Sequence, residues 1–491
     1  MIKLVSPTKA LIEEENPKIM DLIRNQLSIT DKQAAFALQR AKNSPAMLYA
    51  LGQEAYKEKL SELKAKKDRC LLFEDDSGSW TYSGLAGRIS RSFNYEIQKE
   101  FTYPERELLA WSKTPKKNPR PYQEEIVENL LREKHAAVQV ATGLGKTFCI
   151  LNVIKRLGLK TVVMAPSKSI AYQIFEEFSE YLGARNVGLY GDGKKEFKKL
   201  VTIGIDKSLA KIEKNSPAWH ALSGSKVFIA DESHLTPANT LQSVCMQLLS
   251  EVPYRFFFSG TQLRNDGLEL VLEGIAGPVV YEMTVKQGVD QGFLAKPVFT
   301  IVETTSDSKY TSKDVNNLTR AHGYYNPKVN KIAGDLANRF VSMGRQTLIL
   351  IEEVEQFTAI LPYLNIAEIG FAHGPLDQSN KDKVPEMYHD SNNKKLVQDF
   401  NSGKIQCLVG TSCISTGTDI QSAGALIRLK FGKSEIEVRQ DIGRGTRKTE
   451  TKSDCMVVDF DVANIDDLSR HTRDREMIYE DIYGPVNRVT L

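Results

Sequence analysis

The sequence predicts an α/β protein in which two tandem parallel-sheet domains follow a smaller α+β N-terminal domain. Three observations carry this prediction. Between Arg120 and Lys296, short apolar runs at 136–140, 161–165, 201–205, 227–230 and 256–258 alternate with amphipathic stretches, 169–182 being the clearest. A second series follows at 298–302, 347–351, 369–372, 407–409, 425–429 and 456–458, with helices expected at 327–343 and 393–401. Apolar runs separated by segments of helical period are what a parallel sheet covered on both faces requires. Residues 1 to about 112 lack that alternation and mix helical patterns with a hairpin signal.

Length and composition set the bounds. A chain of 491 residues allows about three domains at ~150 residues each. An apolar fraction of 41% and a charged fraction of 26% are those of an ordinary globular protein. The net charge of +3 gives no global field that announces nucleic acid, so any basic surface must be local. No apolar run reaches the roughly 18 residues of a membrane span, and the N-terminus MIKLVSPTKALIEEEN lacks a signal-peptide core. The six cysteines, Cys70, Cys149, Cys245, Cys407, Cys413 and Cys455, form no C-x-x-C pair, which argues against a zinc site or disulfide framework and for a reducing compartment. A cytoplasmic protein without a membrane partner is expected; the oligomeric state is open, and a monomer suffices.

In the first block, 1–112, helices are expected at 17–27 and 44–63, and Asp76-Ser77-Gly78 supplies a turn between the two arms of a hairpin within 70–82. The run 57–69 carries Lys57, Lys59, Lys64, Lys66, Lys67 and Arg69 among helix formers, which suits either a solvated face or contacts to phosphate. A basic link with Pro115 and Pro119 marks a joint at about 111–120. The expected limits are then 1–112 for the N-terminal domain, 113–296 and 297–465 for the two sheet domains, and 466–491 for a C-terminal tail.

The chemistry is concentrated after the joint. Ala141-Thr142-Gly143-Leu144-Gly145-Lys146-Thr147 lies between an apolar strand and a helical stretch. Glycines there let backbone N–H groups curl around an anion, and the helix start adds its positive dipole end. Lys146 reaches the β- and γ-phosphates and the Thr147 hydroxyl holds Mg²⁺, so the chain binds a nucleoside triphosphate. The loop's usual first small residue falls on Val140, which makes this the A-T-G-x-G-K-T variety. Asp231-Glu232-Ser233-His234 directly follows the run 227–230. A carboxylate at a strand end can hold the metal and its neighbour can orient the attacking water, so Asp231 is assigned to Mg²⁺ and Glu232 to the base. Ser259-Gly260-Thr261 and Arg264-Asn265-Asp266-Gly267 follow a third strand; Gly410 to Asp419 ends another with hydroxyls and glycines. Gln440-Asp441-Ile442-Gly443-Arg444-Gly445-Thr446-Arg447 places Arg444 and Arg447 three residues apart, expected on one side of a helical turn. Their guanidinium groups can clamp phosphate oxygens as charge spreads in the transition state.

In this order the motifs resemble those of superfamily 2 DExH helicases over about residues 118–462. The resemblance implies two RecA-like domains with ATP in the cleft between them and Arg444 and Arg447 facing the phosphates. It implies that Tyr122 and Gln123 belong to an adenine-reading motif, with Gly417 and Asp419 also on the nucleotide. Pro166 and Ser167, and Thr411 and Ser412, match segments that grip a nucleic-acid backbone in that family. The 261–267 run is similar to the T-P-x-R-x-D-G of translocating DNA motors, with Gln262 in place of the proline. Trp80 to Ile89, ahead of the motor, is similar to the N-terminal domain of phage UvsW-type branch-migration helicases, which implies forked or branched DNA as partner. An RNA helicase, the motor subunit of a restriction complex and an ATP-gated clamp are the alternatives.

Overall fold

In the computed structural model, residues 1–115, 118–233, 235–260, 269–389, 392–414, 420–449 and 452–490 are described. They fall into two compact units, Met1–Val140 with Thr147–Glu282, and Ala141–Lys146 with Met283–Leu491.

The first unit is built on an eight-stranded sheet in the order Lys194–Lys195, Val187–Gly191, Val201–Ile205, Thr161–Ala165, Val227–Ala230, Tyr254–Ser259, His135–Val140 and Val279–Met283. The six strands from Val187–Gly191 to His135–Val140 run parallel. Val162, Val163, Phe228, Ile229, Phe256 and Phe257 are wholly buried, as strands covered on both faces must be. All five apolar runs of the first series are strands; the peripheral ones escaped notice because Val187–Gly191 carries two glycines and Val279–Met283 is half exposed. Parallel direction matters for function: every loop that leaves a strand's carboxyl end emerges along one edge of the sheet.

The N-terminal block is a second, five-stranded sheet in the order Phe73–Asp75, Gly78–Tyr82, Lys9–Ile12, Ile2–Leu4 and Ile97–Lys99. The expected hairpin forms with Asp75 opposite Gly78 and Phe73 opposite Trp80, and the Asp75 carboxylate accepts the Ser77 N–H at 2.9 Å. The helix expected at 44–63 is two, Pro45–Leu51 and Gln53–Lys67, because Gly52 has φ +76°, a left-handed conformation that glycine alone adopts without strain. With Lys32–Lys42 they form an insert carried on a two-stranded ribbon, Ser28–Thr30 and Asp68–Cys70.

This block shares its hydrophobic core with the first sheet domain. Gly84 lies so close to the next segment that a Cβ there would be 2.4 Å from the Glu273 carbonyl oxygen, and one at Gly274 would be 2.7 Å from the Tyr82 ring. Gln242 donates to the Tyr82 hydroxyl at 2.7 Å, and Arg88 forks onto Glu273 at 3.0 and 2.5 Å. Among its described residues the link that follows has neither helix nor strand before Pro121, yet it is tied down: Glu107, Leu109 and Ser112 donate backbone N–H groups to Leu157, Lys155 and Tyr181.

The second unit carries seven strands, Ile369–Ala372, Cys407–Gly410, Thr347–Leu350, Ala425–Arg428, Asp454–Val462, Lys296–Thr304 and Val486–Thr490, and every neighbouring pair is parallel. Here one expectation fails. The stretch beyond 465 is no tail: it folds as helix Asp466–Tyr483 and an edge strand that pairs Val486 with Phe299 and Thr490 with Glu303. Its helix is polar in sequence and is fixed by charge, with the buried Arg475 and Tyr479 both on the Asp459 carboxylate at 2.6 Å. Among the described residues no helix is long and apolar enough to cross a membrane.

Candidate functional site

The strand His135–Val140 opens into the candidate phosphate loop and the helix Lys146–Leu157 begins at the loop's lysine. Gly143 at φ +90° and Gly145 at φ +81° occupy the left-handed region, the conformation that turns successive N–H groups toward one point. Leu144 is fully buried and Lys146 is 8% exposed. The Ala141 N–H donates to the Met283 carbonyl at 3.0 Å. In the second unit the loop residues meet the arginine motif: a Cβ on Gly443 would be 2.7 Å from the Thr142 Cβ, and one on Gly143 would be 3.1 Å from the Arg447 Cγ. Small residues at both points are what let these two segments approach.

Asp231 sits at the carboxyl end of Val227–Ala230, 5% exposed, and its Oδ1 accepts the Glu232 N–H at 3.0 Å. Glu232 itself adopts φ +46°, uncommon for a non-glycine residue. Its Oε2 accepts the Gly260 N–H at 3.3 Å, and the next residue, Ser233, donates its N–H to Phe258 at 3.1 Å. The acidic pair is thereby stitched to the strand Tyr254–Ser259. A carboxylate at Asp231 and a hydroxyl at Thr147 are hard oxygen donors, and Mg²⁺ characteristically takes one or two such protein ligands together with waters and substrate phosphates. The residues present fit that ion.

Tyr122 and Gln123 are buried in the first turn of helix Pro121–Glu133. The Gln123 side-chain oxygen accepts the Arg120 N–H at 2.9 Å and the Tyr122 hydroxyl accepts from the Arg120 guanidinium at 3.0 Å. Gln123 therefore caps the start of its own helix, a role the sequence reading did not give it.

The two arginines do not share one helical turn. Helix Glu435–Gly445 ends between them, so Arg444, 5% exposed, lies in its last turn, whereas Arg447 lies beyond it in a β-bridge to Leu294. Burial pushes the Arg447 guanidinium down to about 10, so an anionic ligand beside it would be welcome. The helix is anchored by a pair the sequence reading missed. Arg428 and Asp441 are both fully buried and meet at 3.2 Å, and next to them Lys430 pairs with Glu437 at 2.6 Å. The available signal was Arg428 and Lys430, two cations inside the apolar run 425–431.

Among the residues expected to touch nucleic acid, Ser167 caps helix Lys168–Phe178 by accepting the Ile170 N–H, with Pro166 half-buried beside it. Thr411 is buried and donates to the Cys413 thiol at 3.3 Å, while Ser412 is exposed. Gly417 and Asp419, His234 and the run 261–267 with Gln262 and Arg264 lie outside the described residues.

Comparison with known proteins agrees with this layout. The family described as type III restriction enzyme, res subunit, matches residues 116–264, and the helicase conserved C-terminal domain matches 330–449. A DNA 3'-5' translocase of Sulfurisphaera tokodaii is 27% identical over 209 residues, 42% of this chain and 46% of its own length, so less than half of that relative is matched. A helicase of Escherichia phage T5 is 26% identical over 65% of this chain and 66% of its own. A fragment of the HsdR subunit of a type I restriction enzyme from Vibrio vulnificus shares the fold at a TM-score of 0.55 and 18% identity, over 77% of this chain and 70% of that one. Phage T4 UvsW aligns with 100% of this chain and 98% of its own at a TM-score of 0.43 and 16% identity, too loose a likeness to argue from.

Proposed function

We propose that this chain is a superfamily 2 helicase, a DNA-dependent ATPase that translocates on and remodels forked or branched DNA; the two family matches support that reading. The observation that carries the nucleotide half of this reading is the left-handed pair Gly143 and Gly145 ahead of Lys146, with Asp231 and Glu232 on a strand of the sheet whose strand His135–Val140 feeds that loop. Lys146 and the loop N–H groups hold the β- and γ-phosphates, and Thr147 and Asp231 hold Mg²⁺, which neutralises phosphate charge when bound. Glu232 orients the water and takes its proton, held in place by the Gly260 N–H. Arg444 and Arg447 stabilise the charge that spreads over the transferring phosphoryl group. Gln123 gives ATP preference over GTP, its amide adding adenine contacts to the cap it already forms.

Pro166, Ser167, Thr411 and Ser412 position a nucleic-acid backbone. With Ser167 committed to its helix, the N–H groups at the start of Lys168–Phe178 are the donors to phosphate there. Preference for branched DNA rests on the N-terminal block and its lysine-rich helix Gln53–Lys67. The deciding experiment measures ATP hydrolysis with and without DNA and RNA, and strand separation on forked, three-way and four-way DNA. Lys146→Ala serves as the inactive control that still binds DNA. Stimulation by RNA alone would make this an RNA helicase. Equal rates with and without nucleic acid would remove the motor reading.

A further inference from the structure

The insert between residues 28 and 70 does not have the anatomy of a packing module. Helix Gln53–Lys67 buries no residue, and the buried apolar side chains described in the insert are Leu38 and Ala41. Two aromatic rings nevertheless stand in solvent, Phe36 at 64% and Tyr49 at 89% exposure. Leaving such rings exposed forgoes the stabilisation their burial would bring. Phe36 has cations as its helical neighbours. Lys32, Phe36 and Arg40 follow one another at successive helical turns on the exposed side of Lys32–Lys42, away from Leu38 and Ala41. The insert holds nine Lys and Arg against five Asp and Glu. Glu62 is taken up by Lys59 and Lys66, and Asp68 by Lys67, while Lys32, Arg40, Lys57 and Lys64 make no ion pair among the described residues.

Exposed rings on an insert rich in unpaired cations are the composition that grips single-stranded nucleic acid, the rings stacking on bases and the cations neutralising the backbone. Inside an intact duplex the base faces are stacked on one another, so the rings select unpaired nucleotides. We propose that this insert is a binding arm for single-stranded DNA, in which Phe36 and Tyr49 stack on unpaired bases and Lys32, Arg40, Lys57 and Lys64 contact phosphates. The arm deepens the reading of the chain as a DNA motor and takes its mechanistic place from it, but its binding needs no ATP.

The test is equilibrium binding of the full chain, without nucleotide, to a fluorescent thymidine oligonucleotide and to a blunt duplex, for wild type, Phe36→Ala, Tyr49→Ala and Lys32→Gln/Arg40→Gln. Each alanine variant should bind the single strand about five- to hundred-fold more weakly, bind the blunt duplex within twofold of wild type, and melt at the wild-type temperature. Tyr49→Phe should retain binding. The double glutamine variant should lower the log–log salt slope by about 0.7 per lost phosphate contact. Unchanged single-strand affinity in both alanine variants, or equal losses on both substrates, would overturn the arm. So would sedimentation showing that wild type self-associates through these rings and the variants do not. If the variants lose single-strand binding but no DNA stimulates ATP hydrolysis, the motor reading fails and the arm stands; if DNA stimulates hydrolysis and the variants bind as wild type, the reverse holds.

Discussion

The Glu232 carboxylate accepts the backbone N–H of Gly260 at 3.3 Å, joining the residue assigned as general base to the end of the neighbouring strand. With φ at +46°, Glu232 would be a costly residue unless that position had to aim its side chain. Glu232→Gln preserves shape and can still accept from Gly260, but an amide cannot take a proton from water. Hydrolysis should fall on the order of 10²–10⁴-fold with ATP affinity retained. Rapid-quench turnover and nucleotide titration check this; lost affinity would make the residue structural.

Arg444 and Arg447 differ in setting, one in the last turn of a helix and the other in a β-bridge, so their variants should not behave alike. Replacing either by alanine should lower kcat by about 10³–10⁵ if it acts as an arginine finger. In both variants kcat should fall far more than ATP affinity does, though by different amounts. Steady-state kinetics of both variants, on saturating DNA, separate the two. A pure KM effect in both would place the arginines outside the transition state.

The Arg428–Asp441 pair predicts a stability effect. Both side chains are fully buried. Arg428→Met takes from Asp441 its partner at 3.2 Å and leaves it Lys430 at 3.9 Å, and breaking a buried pair from one side costs about 3–5 kcal/mol. Arg428→Met/Asp441→Leu should recover much of that loss, since similar-sized apolar residues replace such pairs at little cost. Denaturant unfolding of the three proteins measures it, and a double variant no better than the single would mean that the pair is not the source.

Glu177, in helix Lys168–Phe178, is a pH reporter. Burial, with Glu180 nearby, pushes its carboxyl up to about 7. A folded-state value above the unfolded one means that the folded protein loses stability as pH rises from about 4.5 to 7 and stays at the lower level above that. Glu177→Gln carries no charge at any pH. Its melting temperature should exceed that of wild type clearly at pH 8 and little at pH 5; a gap that does not depend on pH would refute the shift.

Most of the fold was written in the sequence because its strands are buried on both faces. Runs such as 161–165 and 227–230 have no other stable environment, and the structure repeats them residue for residue. Elements held by polar contacts were not legible. Helix Asp466–Tyr483 shows no apolar stripe; it is fixed by Arg475 and Tyr479 on Asp459, partners 16 and 20 residues away. The proposed nucleotide residues could be named as candidates because phosphate chemistry imposes residue type at fixed spacing. The anchors behind them, Arg428 with Asp441 and Gly260 with Glu232, depend on which strands become neighbours, and no local pattern states that.

The contact between Gly84 and Glu273, and between Gly274 and Tyr82, has a mechanical consequence. A joint without room for a methyl group is close-packed, and the five-stranded sheet and the first sheet domain belong to one compact unit. Compliance then belongs to the ribbon Ser28–Thr30 and Asp68–Cys70 that bears the helical insert, two strands of three residues each. In the proposed motor, whatever the N-terminal block holds would travel with the sheet that carries Asp231 and Glu232, and slack in that grip would be taken up where the ribbon bends. In the proposed motor, lengthening or stiffening those six residues would change how far the protein advances under load and leave ATP hydrolysis as it is.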